Sequence, residues 1–440
     1  MRSVTSGRDL GRLVGLASCT LLLLVGLGFP RPAAAEMAGS LDRAFGRNGL
    51  QLTDFHRRKD EATAVAVQRD GKIVVAGRIA KPGFTRIPAL ARYRRNGRLD
   101  RGFAGNGKAS IHCDSSNSHD VALAIQPNDK ILVAATCGAN VGVARFRHDG
   151  RLDRSFGRRG IVRTAILPGI DHVSDLAVQP DGKVVAVGYA HGVASGDDYL
   201  IMARYDQDGT LDPGFADGGT LITRFGTPAN ALGYGVAIQD DGKLIAAGEV
   251  GNNWIVARFL PDGTLDGSFA DGGVSYSAPK LIGQARDVAI QPDSKIVTTG
   301  YDFTGRQTRF ALGRYLPNGL FDPGFGDGGA VHTSFGRGRP ADADSLALQD
   351  DGKIVVVGTT PSAAHGRALR FALARYLPDG QLDATFGGDG KVATGFHRGT
   401  WEYSASANSV ALEQDGRIVA AGYMWFHKDQ NFALARYLGR

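Results

Sequence analysis

Asp175 and Asp287 hold the same place in two repeats of this chain, each four residues before the glutamine that ends a short apolar stretch. Carboxylates in matching register are what a divalent ion or an acid–base pair would use, provided that they converge on one axis. Asp344 and Asn408 lie in the corresponding stretches but one residue out of step. The competing reading is plain polarity where a turn hands over to a strand. A second group is aromatic. His397, Trp401, Glu402 and Tyr403 fall in one connecting segment, and Tyr423, Met424, Trp425, Phe426 and His427 in another. Exposed rings beside polar groups suit stacking on sugar rings or a protein hot spot, so His397, Trp401, Tyr403, Trp425, Phe426 and His427 are candidate ligand contacts. The alternative is that the two segments pack on one another. Trp254 stands where Phe310 and Phe371 stand in other repeats and is expected in the core.

Other chemistries find no support. The chain has no H-E-x-x-H, C-x-x-C or G-x-S-x-G. Gly102 to Lys108 spells G-x-x-x-x-G-K, but Ala109 replaces the Ser or Thr that would hold Mg²⁺. Its aspartates lack the spacing of a calcium loop. No cofactor or metal is implied, and the reading leans away from an enzyme. Cys113 and Cys137 are a candidate disulfide, with two free thiols or a weak metal pair with His112 as the alternatives.

These residues must be positioned by something, and composition bounds what. The chain has 440 residues, 43% hydrophobic and 22% charged, which excludes a disordered chain. Its 62 glycines are about double the ~7% norm and have no collagen period. The net charge is +7, and Arg2, Arg8, Arg12 and Arg31 all precede residue 36. That balance is too mild to argue for nucleic acid. Residues 1–35 read as a secretory signal: a basic start, an uncharged run from Leu13 to Phe29, Pro30, then Ala33-Ala34-Ala35 before Glu36. An uncleaved anchor and a lipobox at Leu16-Ala17-Ser18-Cys19 are the alternatives. With the signal removed, no membrane span is expected, and the protein is expected to be secreted or periplasmic.

Three signatures recur seven times in fixed order. L-D-x-x-F begins at Leu41, Leu99, Leu152, Leu211, Leu265, Phe321 and Leu382, at intervals of 53 to 61 residues. D-G-K or a variant ends at Lys72, Lys130, Lys183, Lys243, Lys295, Lys353 and Arg417, and A-R-Y/F has its arginine at 92, 145, 204, 258, 314, 375 and 436. Each unit holds four strand candidates, A to D, and Asp-Gly between A and B is a hairpin signal. Four-stranded antiparallel units, apolar on both faces and repeated seven times, predict an all-β, seven-bladed β-propeller over residues 36–440.

The unit P-D-G-x-L-D-x-x-F-G-x-x-G…A-x-Q-x-D-G-K-I-V-V-A-G…A-L-A-R-Y resembles the bacterial delta-60 repeat family across residues 40–440, with Gln179-Pro180-Asp181-Gly182-Lys183 and Leu377-Pro378-Asp379-Gly380 as close matches. The resemblance implies a bacterial, usually exported, propeller-like repeat protein of uncharacterised activity, and carries over no catalytic residues.

Leu41 to Gly46 is the link that normally follows strand C, and Ala433 to Tyr437 is a strand C with nothing after it. Strand D of the last blade should therefore come from the N-terminal side, around Gly49 to Asp54, closing the ring. The A-R-Y arginine and the L-D aspartate are eight apart in six units, Arg314 and Asp322 among them. This predicts a repeated structural ion pair, with Arg436 meeting Asp42 across the closure. The aspartate is also a candidate helix N-cap. The A→B and C→D turns, which are repetitive, share one face. The D→A and B→C loops, which share almost nothing and hold or adjoin His56, His112, His119, His172, His191, His365, His397 and His427, share the other. Loops released from a repeat on a rigid base commonly carry binding. The expected function is an exported module that binds a glycan, an envelope component or a protein through the variable face. A metal-dependent hydrolase at the central channel and a purely structural surface protein are the alternatives.

Overall fold

The short β-branched runs that follow each Asp-Gly turn become strands with no solvent face. Ile73–Ala80 and Val184–His191 begin with five consecutive buried residues, as fits a strand with packing on both sides. In the computed structural model these are the second strands of seven four-stranded antiparallel sheets. The structure describes residues 36–440, apart from 56–57, 81–85, 114–120, 194–195, 226–229, 304–306, 364–367, 399 and 427. Residues 37–440 form one compact unit. Among the described residues there is no helix.

The innermost strands run Asp60–Val67, Val121–Ile125, Asp171–Val178, Ala231–Ile238, Gly283–Ile290, Asp342–Leu348 and Ala405–Leu412, in blades 1 to 7. Each touches the innermost strand of the next blade, and blade 7 touches blade 1, so the blades form a ring around a channel. The outermost strand of blade 7 is Leu50–Thr53, which pairs antiparallel with Phe432–Ala435. Apolar clusters sit between blades. One joins Val185 and Met202 of blade 3 to Leu244 and Ile255 of blade 4, and another joins Val75 and Ala89 of blade 1 to Val419 and Leu434 of blade 7. Trp254 is fully buried between blades 4 and 5.

Six innermost strands carry a one-residue bulge opposite a glycine of the second strand: Gly77, Gly188, Gly248, Gly300, Gly358 and Gly422. A Cβ on any of them would collide with the facing carbonyl oxygen, so only glycine lets the bulged strand lie this close. Blade 2 has Ala135 instead, and Val121 pairs with it in regular register.

The face formed by the A→B and C→D turns carries one cluster seven times. The A-R-Y/F arginine reaches the L-D aspartate at 2.7–3.0 Å, and the fourteen side-chain owners are each at most 7% exposed. Its guanidinium carbon lies 4.4–4.7 Å above the L-D-x-x-F phenylalanine ring. Its remaining arm donates to a carbonyl of the following blade, from Arg92 to His148 through to Arg436 to Arg95 across the closure. The D-G-K lysine joins in blades 2, 3 and 5, as does Arg417 with Asp42 in blade 7. Burial alone would raise the Asp153 carboxyl, but the bonds from Lys130 and Ser155 and the Arg145 charge outweigh it and hold it low. No helix follows these aspartates. Their second oxygen caps a turn instead, accepting the amide two residues on, as Asp42 does from Ala44 at 3.0 Å. At the outer seam, the A-R-Y hydroxyls of Tyr93, Tyr205, Tyr376 and Tyr437 donate to a threonine on the outermost strand of the preceding blade at 2.8–2.9 Å.

Candidate binding site at the variable mouth of the channel

The bulges decide what the channel presents. In a regular strand, neighbouring side chains point to opposite faces. Where the strand bulges, two consecutive side chains line the channel: Thr63 and Ala64, Ser174 and Asp175, Arg286 and Asp287, Asp344 and Ser345, Asn408 and Ser409. The one-residue offset of Asp344 and Asn408 from Asp175 and Asp287 therefore does not separate them, and all four line one cavity of about 520 Å³.

Asp175 and Asp287 stitch blades. The Asp175 carboxylate accepts the Val236 amide of blade 4 at 2.9 Å and the Leu176 amide at 2.7 Å. Asp287 accepts Leu346 of blade 6 at 2.9 Å and Val288 at 2.7 Å. Ser409 meets the same need with a hydroxyl, accepting the Val65 amide of blade 1 at 3.1 Å. Both residues are half-buried in the channel wall. Burial, with the nearby Asp287 charge, pushes Asp175 up to about 7, against the pull of its two amides. Burial likewise raises Asp287. Among the described residues, no group of three or more His, Cys, Asp or Glu side chains is placed to hold a metal ion.

Around the mouth the wall changes character by blade. Blades 3 to 5 are aromatic and cationic. Tyr189 stacks on His172 with centroids 4.5 Å apart and meets Tyr234 edge-on at 6.5 Å. The Arg286 guanidinium lies 4.8 Å from the Tyr234 ring and 5.4 Å from Tyr301. Glu249 accepts from the Tyr234 hydroxyl at 3.1 Å and from Gln284 at 2.9 Å, and burial raises its pKa. Blades 6, 7 and 1 are rich in hydrogen-bonding groups, with Asp344, Asn408 and Ser409. Glu61 is held by Arg78 at 2.6 Å and Arg86 at 3.4 Å. Blade 2 is small and apolar, with Val121, Ala122 and Leu123.

The aromatic candidates of the last blades divide. Phe396–Arg398 and Trp401–Tyr403 form a hairpin in which His397 faces Glu402. Trp401 is 74% exposed, whereas Phe396 is buried against Phe371. Tyr403 packs on Phe426 at 5.1 Å and Tyr423 on Trp425 at 4.5 Å, and all four are half-buried, so mutual packing accounts for part of this group. Glu402 binds Arg370 and Ser362, which tie the hairpin down. His427 lies outside the described residues, as do His56, His119 and His365. Cys113, just after the outermost strand of blade 1, and Cys137, at the end of the second strand of blade 2, are joined as a disulfide with Cα atoms 5.1 Å apart.

Tyr189, Tyr234, Glu249, Arg286 and Tyr301 escaped the sequence reading. Their signal was present: each is either the residue after the second-strand glycine or the bulge residue five before the strand-ending glutamine. Both positions vary while their neighbours repeat.

Five segments, 68–103, 179–215, 239–269, 291–325 and 349–386, match the family described as "Domain of unknown function (DUF5122) beta-propeller". They fall in blades 1, 3, 4, 5 and 6. No curated protein matches the sequence. Among solved structures, virginiamycin B lyase from Staphylococcus aureus is similar with a TM-score of 0.48 and 9% identity, over 88% of this chain and 98% of that one. The β-propeller domain of the Trilobed protease from Pyrococcus furiosus is similar with a TM-score of 0.44 and 9% identity, over 85% and 95%. Drosophila Plexin A, solved with Semaphorin 1b, gives 0.40 and 10%, over 86% and 88%. At these identities the likeness concerns the fold alone. The chain is a seven-bladed β-propeller repeat protein, similar in five of its blades to the DUF5122 family.

Proposed function

We propose that the protein is an exported interaction module of the delta-60 repeat type, which binds a cell-envelope component through the variable face. One observation carries this reading. The side chains released from the repeat gather around a polar cavity at one mouth of the channel, while the other face is occupied by seven near-identical buried ion pairs. A rigid frame with a variable, concave and mixed polar–aromatic mouth is the usual form of a binding site. Export is supported by the pattern of residues 1–35 and by a disulfide that suits an oxidising compartment. A hydrolytic site built on Asp175 and Asp287 is less well supported, because each carboxylate is engaged by two backbone amides.

The test is retention of the purified protein on bacterial envelope fractions, beside Trp401→Ala and Tyr234→Ala. Retention by the native chain and weakening in either variant supports the module. Absence of retention on every fraction removes it in favour of a purely structural role.

A further inference from the structure

We propose that the repetitive face, opposite the variable mouth, is an interface between two copies of this chain, paired face to face about a two-fold axis. The buried ion pairs of this face are alike in every blade, but the exposed positions of its turns are not. The residue after L-D is arginine in blades 7, 1 and 2 (Arg43, Arg101, Arg154) and uncharged in the other four. Two residues after the L-D-x-x-F phenylalanine stand Arg47 and Arg158 in blades 7 and 2, but Asp217, Asp271 and Asp327 in blades 3 to 5. All eight of these charged residues are exposed. The whole face follows the same division. Its A→B turns run from the strand-ending Gln or Glu to the D-G-K position, and its C→D links from the A-R-Y/F arginine to the glycine before the outermost strand. There, blades 7, 1 and 2 carry nineteen basic residues against eight acidic, the chain's last residues included. Blades 3 to 6 carry eight basic against eighteen acidic.

The two sectors are each continuous. Every C→D link donates an amide to a carbonyl of the next blade at 2.6–2.9 Å, from Gly46 to Asn96 around to Gly387 to Ala38. This belt sets the links side by side, so one half of the face is cationic and the other acidic. Some charges are matched within the chain: Arg147 meets Asp149 at 3.1 Å and Lys183 meets Asp206 at 3.0 Å. Arg101, Arg154, Arg158, Asp217, Asp271 and Asp327 form no ion pair with a described residue. Blade 1, the centre of the cationic half, lies across the ring from blades 4 and 5, the centre of the acidic half. A two-fold axis in the plane of the face, perpendicular to the line between these centres, sets each cationic half over the partner's acidic half. An anionic surface or polymer spread over the same face would be attracted by one half and repelled by the other. The complement of this face is therefore a second copy of it. Exposed ion pairs are individually weak and screened by salt, so the charges orient the encounter and make it salt-dependent. Leu265 and Leu320, exposed on the links of blades 4 and 5, add apolar contact. The pairing leaves both variable mouths pointing outward, so a dimer presents two of them.

The experiment is sedimentation equilibrium of the purified protein in about 50 mM and about 500 mM NaCl, with two charge-reversed variants. One carries Arg101→Glu, Arg154→Glu and Arg158→Glu, the other Asp217→Lys, Asp271→Lys and Asp327→Lys. None of these six side chains holds a hydrogen bond to a described residue, so both variants should melt like the native chain. If a triple variant melts early, the single changes Arg158→Glu and Asp271→Lys take its place. The native chain is expected to be a dimer at low salt, with a dissociation constant at least about tenfold higher at high salt. Each variant alone should weaken association at least about tenfold, because attraction is lost in both halves of the interface. Mixed one to one, the variants should associate more tightly than either does alone. In that pair the altered halves complement each other and the unaltered halves keep the native charges. Four results overturn the proposal: the native chain is monomeric at ~100 µM in low salt, high salt leaves the dimer intact, either variant dimerises as the native chain does, or the mixture is no tighter than its components. A native chain that stays monomeric but sediments with anionic phospholipid vesicles assigns the arginines to a membrane, and the pairing fails. None of these results bears on what the variable mouth binds, which the envelope fractions test separately.

Discussion

The two ends of this propeller are made from the same strands and have opposite chemistry. At one end, seven arginines each grip an aspartate, a phenylalanine face and a carbonyl of the next blade. At the other, the side chains change around the ring: Arg78, Tyr189, Glu249, Tyr301 and Tyr423 follow the same glycine, and Ser174, Tyr234, Arg286, Asp344 and Asn408 share the bulge position. The repetitive end must bury its charges fully paired, because a buried charge that loses its partner is expensive. The variable end lines an open cavity, where side chains are not bound by that constraint. The repeated charged contacts between blades are concentrated at one face, and that leaves the other face free to differ.

Asp42→Ala strikes hardest at this division. It removes the carboxylate that Arg436 shares with Arg417 at the ring closure, leaving Glu413 at 3.2 Å from the buried guanidinium, and should lower stability by ~3 kcal/mol, the low end for a broken buried pair, in denaturant unfolding. Asp266→Ala, in the middle of the chain, should fall by a similar amount if the closing blade is an ordinary one. A near-native curve for both would show that the repetitive face is not what holds the ring. Reducing the Cys113–Cys137 disulfide, which closes a 24-residue separation, should cost about 3 kcal/mol, read as an earlier melt in dithiothreitol. An unshifted melt would remove the disulfide from the frame.

Asp175→Ser sharpens the comparison inside the channel. Asp175 titrates higher in the folded state, near 7, than its ordinary 3.8, so the folded protein holds a proton that the unfolded chain has released. Its contribution to stability is complete below pH about 4 and is lost as pH rises toward 7. Serine, already used at Ser409, keeps an acceptor for the neighbouring amide and has no charge. The difference in unfolding free energy between native and variant should therefore slope between pH 4 and 7 and be flat above it. A pH-independent difference would show that Asp175 does not titrate. Trp401→Ala should be the mildest, changing stability by less than ~0.5 kcal/mol, because an exposed side chain leaves no cavity. A large loss would place the hairpin in the frame, not on the variable surface.

Much of the fold was legible because it is local and repeated. The seven A-R-Y/F arginines and L-D aspartates mark strand and turn at a spacing of eight, and the missing strand at one terminus with the surplus at the other foretold Leu50–Thr53 beside Phe432–Ala435. The mouth was less legible. The aromatic candidates were sought in the longest loops, where Trp401 indeed lies exposed, but Tyr403, Trp425 and Phe426 are half-buried among themselves. Tyr189, Tyr234 and Arg286 sit inside strands, hidden within stretches that read as scaffold. Period-two alternation also set Asp344 and Asn408 out of step with Asp175 and Asp287, and it fails where a strand bulges.

Composition, turn chemistry and the seven-fold signature by themselves determined a closed ring of four-stranded blades. Each of those signals acts between residues near in sequence, and repetition multiplies it. Only the tertiary structure decided which side chains share the channel. That depends on a one-residue bulge opposite a glycine, and on seven strands from remote parts of the chain being brought edge to edge around one axis. Neither can be read from any single stretch of residues.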